Sequence, residues 1–236
     1  MGPCCFVSDL HLFARRSDAG RYQHAIAARA SKASIFVLGG DIFDFRWARM
    51  PGATDAVEEA IRWLREIALR CPRCHFHLVL GNHDYHQPFI ERLVDLEAVL
   101  PNFSWHPFYV RLGSSIFLHG DVANRKMTAR KLARSRNRWL RKKLVRASIR
   151  HTLYDVLVLS RIHKVLPRVV HPRRAVARRI LAYLDDIGHG PTNGVRSVYF
   201  GHTHSAMHDY HYRGVAFHNG GAPIKGMKFR ILEAEL

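Results

Sequence analysis

Phe36 to Asp44, FVLGGDIFD, is an apolar run that stops at two glycines and delivers a carboxylate, Asp41. Four other segments share its grammar of β-rich apolar run, tight turn, then hard oxygen or imidazole. Phe6-Val7-Ser8 leads into Asp9 and His11, and Phe76 to Leu80 into Gly81-Asn82-His83-Asp84. Ile116-Phe117-Leu118 leads into His119-Gly120-Asp121, and Val198-Tyr199-Phe200 into Gly201-His202-Thr203-His204. Short apolar runs closed by glycine turns read as buried strands. Taken singly each turn is commonplace, and His202 with His204 alone reads as a pair of surface histidines. Five together require a fold that gathers five strand ends, as α/β sheets do along their carboxyl edge.

The remaining pattern agrees with an α/β class, strands alternating with helical stripes. Strands are expected at Cys4 to Ser8, Ser34 to Leu38 and His75 to Leu80, with helices at Asp18 to Ser31 and after Asp55. Asp55 followed by Glu58 resembles a capping box, with Val57, Ile61, Leu64 and Ala68 as the buried stripe and Pro72 beyond the end. A helix from Pro88 to Glu97 follows, then a strand pair, Phe103 to Leu112 and Ser114 to Leu118, folded about Gly113. Met207 to Tyr212, Val215 to His218 and Lys228 to Glu235 are expected to form a β-meander.

At 236 residues and 47% hydrophobic, one domain spanning 1–236 is expected. No run reaches the roughly 18 apolar residues of a spanning helix, and no charged leader precedes an apolar stretch. The expected location is cytoplasmic, with peripheral attachment to the inner face of the membrane. Cys4, Cys5, Cys71 and Cys74 are expected to be reduced thiols, because the single C-x-x-C has no second pair to complete a zinc site.

Charge is concentrated. Of 37 Lys and Arg, 19 fall between Val122 and Leu184 against one acid, Asp155, so this segment holds the whole formal charge of +18. It is expected to be a helical insertion, a basic lid over about 122–184, with helices at Thr128 to Arg150, Ile149 to Leu166 and Arg173 to Ile187. Such polarity marks a surface for an anionic partner. A phosphorylated, lipid-linked substrate at a membrane surface fits it, and so does a nucleic acid backbone. Aromatics are sparse there, with Trp139, Tyr154 and Tyr183 the full set, which is thin for base stacking and favours the lipid. Arg125, Lys126 and Trp139 are the expected substrate-binding residues.

The ligand types point to a two-metal hydrolytic site. Two divalent cations about 3.5–4 Å apart need a shared anion to screen their repulsion and open positions for hydroxide and a phosphate oxygen. Asp41 is assigned as that bridge, with Asp9, His11 and His204 on the first metal and Asn82, His119 and His202 on the second. Carboxylate, amide oxygen and imidazole without thiolate suit Mn2+ first, with Fe or Zn as alternatives. His83, one residue past a ligand, is expected to protonate the leaving oxygen, with Asp84 holding its tautomer. Asp44 is expected to support the turn or a ligand histidine. A metal-binding module without turnover is the competing class, and it would be expected to have lost a ligand or His83.

The motifs D-x-H at Asp9 and His11, G-D-x-x-D at Gly40 to Asp44, G-N-H-D at Gly81 to Asp84, H-G-D at His119 to Asp121 and G-H-T-H at Gly201 to His204 resemble the calcineurin-like metallophosphoesterase signature. The resemblance implies a four-layer sandwich of two sheets flanked by helices, a dinuclear centre often reconstituted with Mn, and hydrolysis of phosphomonoesters, phosphodiesters or pyrophosphates. It also matches His83 to the family's catalytic histidine. Within the family, the S-D-L-H-L opening at Ser8 to Leu12 and the helical insertion resemble UDP-2,3-diacylglucosamine hydrolases of lipid A synthesis. Two departures stand out: His83 falls where those enzymes carry arginine, and Arg125 and Lys126 follow the H-G-D where they carry acids.

Overall fold

The computed structural model describes residues 2–48, 50, 52–140 and 170–236. Among them, ten strands form two five-stranded sheets. In the first, β1 (Cys4–Val7), β2 (Ile35–Gly39), β3 (His75–Val79) and β4 (Phe103–His106) lie parallel in that order. In the second, β5 (Tyr109–Leu112) pairs antiparallel with β6 (Ser115–Leu118), which runs parallel to β7 (Ser197–Phe200). A hairpin, β8 (Met207–Tyr212) and β9 (Val215–Asn219), completes that sheet through β9, which lies parallel to β7. Finally β10 (Leu232–Ala234) returns to the first sheet, antiparallel to β1.

Strand alternation divides the side chains between two faces. Cys5, Val7, Phe36, Leu38, Phe76 and Leu78 point outward into a core shared with α1 (Gln23–Ala30), α2 (Ala53–Arg70) and α3 (Gln87–Val99). Ile116, Leu118, Val198, Phe200 and Phe217 form the outer face of the second sheet, under α4 (Ala129–Leu140) and α5 (Arg173–Asp186). The alternate residues, among them Phe6, Val37, Val79, Phe117 and Tyr199, meet between the sheets. The result is the four-layer order of helices, sheet, sheet and helices. Phe117 stacks on Tyr199 at 5.0 Å between ring centroids and lies 5.8 Å from Phe6. Gly39 is needed beside this cluster, since a Cβ there would fall 2.2 Å from the Phe6 ring.

Three expectations are corrected. Phe103 to Leu112 is two strands in different sheets, because Pro107 has no N–H for a ladder and the chain crosses between sheets there. The tail is not a meander, because Gly220, Gly221 and Pro223 break the chain after β9 and β10 covers the open edge of β1 instead. The Asp55 and Glu58 capping box does not form: α2 starts at Ala53 with Gly52 as its cap, and Glu58 pairs with Arg92 of α3 at 3.0 Å.

Of the basic insertion, α4 and α5 are described, while the expected Ile149 to Leu166 helix lies outside the described residues. No helix among the described residues is long and apolar enough to cross a membrane. The four cysteines are free and buried.

The fully buried Phe117 ring touches side chains from both sheets. Phe117→Ala is expected to lower the unfolding free energy by about 3–5 kcal/mol in urea titrations. A loss below about 1 kcal/mol would show that the sheets are not held by this shared core.

Candidate metal centre

The centre forms where five strands stop. β1 delivers Asp9 and His11, β2 delivers Asp41 and Asp44, β3 delivers Asn82 and His83, β6 delivers His119, and β7 delivers His202 and His204. Just past the strands the backbone turns sharply. Asp9, His11, Asp41, His202 and His204 all have positive φ, between 46° and 64°. That left-handed conformation costs a residue with a Cβ about 1 kcal/mol or more, so surrounding bonds must impose it. They are present: Asp9 N–H donates to Gly40 O and His11 N–H to Asp41 O, both at 2.9 Å. The carboxylates join in, with His83 N–H donating to Asp41 Oδ1 at 2.8 Å and His202 N–H to Asp9 at 2.9 Å.

The side chains then converge. His11 Nε2 and His204 Nε2 face each other at 3.1 Å, and Asp9 Oδ1 lies 3.4 Å from His204 Nε2. His202 Nδ1 and His119 Nε2 also face at 3.1 Å, and His119 Nε2 has Asn82 Oδ1 at 3.2 Å and Asp41 Oδ2 at 3.3 Å. Two imidazole nitrogens that close can hold at most one N–H between them, so each pair offers a lone pair inward. Donor atoms of Asp9, His11 and His204 lie within 4.8 Å of one another, as do those of Asp41, His119 and His202, and those of His11, Asp41 and His83. The seven expected ligands are thus together, and Asp41 stands in two of the three groups.

Electrostatics favour cations at this point. Burial pushes the Asp41 carboxyl up, but His119 and His83 outweigh it and hold it well below the usual carboxylate range. Burial likewise works against Asp9, where His204 reverses the effect and lowers it. Burial pushes His119 down, yet Asp41 beside it more than compensates and raises it to about 9. Its neighbour His202 is taken down to about 3 by burial and by His119, and burial brings His11 to about 4. Each facing pair therefore contains an imidazole held neutral and ready to donate a lone pair. A field that stabilises a proton on His119 stabilises a divalent cation in exchange for it, and the donor set fits such ions.

His83 does not sit as expected relative to its carboxylate. Its Nδ1 meets Asp44 Oδ1 at 2.9 Å, while the other Asp44 oxygen lies 3.3 Å from His11 Nδ1. The expectation that Asp84 orients His83 is corrected. Asp84 turns away into the core and accepts backbone N–H groups of Phe43 at 2.8 Å, Gly81 at 3.1 Å and Ile42 at 3.2 Å. It braces two ligand turns, and burial with nearby Asp41 raises it to about 7. Burial lowers His83, but Asp44 and Asp41 outweigh it and raise it above the ordinary histidine value.

Of the expected substrate residues, Trp139 reaches the centre, its ring 5.4 Å from that of His83, with Arg46 at 5.2 Å from the indole. Arg125 and Lys126 are exposed, and neither makes a hydrogen bond or ion pair with a described residue of the centre. Val122, Ala123 and Met127 occupy the buried side of that loop and turn the two cations outward.

Two residues went unanticipated. Asn219 donates to Gly201 O at 3.0 Å and Thr203 Oγ1 at 3.2 Å, bracing the G-H-T-H turn. Its signal was a sixth strand end, Val215 to His218, running into Asn-Gly-Gly. Arg136 is buried and clamps Asp121, with Nε to Oδ2 at 2.8 Å and Nη2 to Oδ1 at 3.2 Å. Its spacing from Leu132 and Trp139 on one helix face was the available sign.

A Cβ at Gly81 would stand 2.0 Å from Asp41 Oδ1 and 2.2 Å from Asp41 N. Gly81→Ala is therefore expected to weaken Mn2+ binding by roughly 10-fold or more in calorimetric titration, in a protein that still folds. Unchanged affinity would show that the Asp41 carboxylate is not needed where it lies.

The calcineurin-like phosphoesterase family profile matches residues 2–206. No curated protein matches the chain. Among solved structures, a dimetal phosphatase from Danio rerio is similar, with 12% identity, a TM-score of 0.49, and coverage of 94% of this chain and 88% of that one. The chain belongs to the calcineurin-like phosphoesterase family of metal-dependent phosphoester hydrolases.

Proposed function

We propose that this chain hydrolyses a phosphoester or pyrophosphate bond with two divalent ions, Mn2+ first among them. The observation that carries this reading is the convergence of Asp9, His11 and His204 beside Asp41, Asn82, His119 and His202, where strand ends of the two sheets meet. Ions held there would supply hydroxide from water near neutral pH and neutralise the phosphoryl oxygens. Asp41, which stands in two of the three donor groups, would be the residue that holds both. His83, its Nδ1 engaged by Asp44, presents Nε2 to the departing oxygen and gives it a proton. Asp44 fixes that tautomer and orients His11 at the same time.

For the substrate, we favour an anionic, lipid-linked phosphate compound such as UDP-2,3-diacylglucosamine, met at a membrane surface. Support comes from α4, which carries Trp139 at the centre and exposes Arg130, Lys131, Arg134 and Arg138 on its other side. Exposed Arg173, Arg174 and Arg178 extend the cationic surface along α5. Each basic residue close to an anionic bilayer contributes about 1 kcal/mol of attraction.

Two assays test this proposal. Hydrolysis of bis-p-nitrophenyl phosphate is expected to require Mn2+, to vanish in Asp41→Ala, and to fall by about 10²–10⁴ in kcat in His83→Ala. Turnover that survives Asp41→Ala would remove the two-ion chemistry. UDP-2,3-diacylglucosamine and short DNA or RNA are then offered side by side, with cleavage of the lipid expected. Cleavage of nucleic acid alone would overturn the substrate assignment.

A further inference from the structure

Arg136 is exceptional within the basic segment. Its neighbours Arg130, Lys131, Arg134 and Arg138 face solvent, whereas the Arg136 side chain is 1% exposed. Burying a guanidinium is costly unless it is paired, and two separate parts of the fold pair Nε and Nη2, while the buried Nη1 has no hydrogen-bond partner among the described residues. Nε and Nη2 grip both oxygens of Asp121, the last residue of the H-G-D turn that follows β6 in the second sheet. Nη2 also donates to Leu80 O at 3.0 Å, immediately before the Gly81-Asn82-His83 turn that follows β3 in the first sheet. The Tyr85 ring lies 5.4 Å from the guanidinium carbon. One arginine on α4 thus ties together the turns that deliver His119 and His83 from opposite sheets.

Trp139 lies three residues further along the same helix, on the same face. Its indole packs against the His83 ring at 5.4 Å, and the Arg46 guanidinium lies 5.2 Å from the indole. Among the described residues the His83 ring has one hydrogen-bond partner, Asp44 at Nδ1, and the His11 ring stands edge-on to it at 5.1 Å, which leaves a pivot about the Nδ1 bond on the remaining side. The tilted indole, 5.4 Å away between centroids, limits the pivot on that side. Asn82, His83, Tyr85, His86, Phe45 and Trp139 are among the residues that enclose a recess of about 20 Å3 beside the ring, roughly the room of one water.

We propose that Arg136 is a positioning residue for the hydrolytic reaction: by pinning α4 to Asp121 and Leu80 it holds Trp139 against His83, which fixes the direction of His83 Nε2. The proposal rests on the reading of His83 as the proton donor to the leaving group. Asp121, through this clamp, links the H-G-D turn to the donor. The clamp requires the planar fork of arginine, which lysine cannot reproduce.

The test compares bis-p-nitrophenyl phosphate with diphenyl phosphate, whose poorer leaving group depends more on protonation. Arg136→Met and Trp139→Ala are each expected to lower kcat on the phenyl ester about 10-fold more than on the nitrophenyl ester, with little change in KM. Combined with His83→Ala, neither is expected to add a further loss, as for residues acting through one group. Trp139→Phe, which keeps an aromatic face, is expected to restore most of the rate on the phenyl ester. If Arg136→Met does not fold, Arg136→Lys and Trp139→Ala carry the same comparison. Equal losses on both esters, or losses that multiply with His83→Ala, would overturn the positioning role. If His83→Ala itself shows no dependence on the leaving group, the reading of His83 as donor falls instead.

Discussion

Asp9, Asp41, Asp44 and Asp84 are buried within one cluster, and the cost of removing that much negative charge from water governs the rest of the structure. Asp84 is satisfied by three backbone N–H groups, Asp44 by His11, His83 and Arg16, and Asp9 and Asp41 by backbone N–H groups and imidazoles. What remains is a negative field focused between facing pairs of histidine nitrogens. The left-handed turns and the glycines follow from that demand. A side chain at Gly81 would collide with Asp41, one at Gly201 with Asp9 Oδ2 at 2.2 Å, and one at Gly40 with His119.

No single sheet supplies the site. The first gives Asp9, His11, Asp41, Asn82 and His83, and the second gives His119, His202 and His204. The geometry of the centre is therefore set by how the sheets pack, through Phe6, Phe117 and Tyr199 between them. Arg136 adds a polar tie across the same divide, from Asp121 to Leu80. The basic insertion consequently has two distinct faces: α4 presents cations to solvent and, on its buried side, reaches His83.

The strand ends and the side chains that converge there were legible in the sequence because each segment combines a local apolar run with a local turn, and both signals survive without tertiary context. The split of Phe103 to Leu112 between sheets was less visible, although Pro107 marked it. Which of Asp44 and Asp84 would meet His83 was not readable. Both flank sharp turns, and the answer depends on the direction in which each turn releases its side chain, fixed by long-range bonds such as His83 N–H to Asp41. Arg136 was hidden by its surroundings, since a charge run suggests solvent exposure and gives little sign of one buried member. The partner of β10 was equally non-local, because an edge strand belongs to whichever sheet has an open edge within reach.

The central claim is that Asp41 is held in common by two cations. Metal content per chain, measured by inductively coupled plasma mass spectrometry on protein equilibrated with Mn2+ and freed of excess, tests it most directly. The account predicts two ions per chain in the native protein and the loss of tight binding at both positions in Asp41→Asn. One ion in the native protein, or two retained in Asp41→Asn, would contradict it.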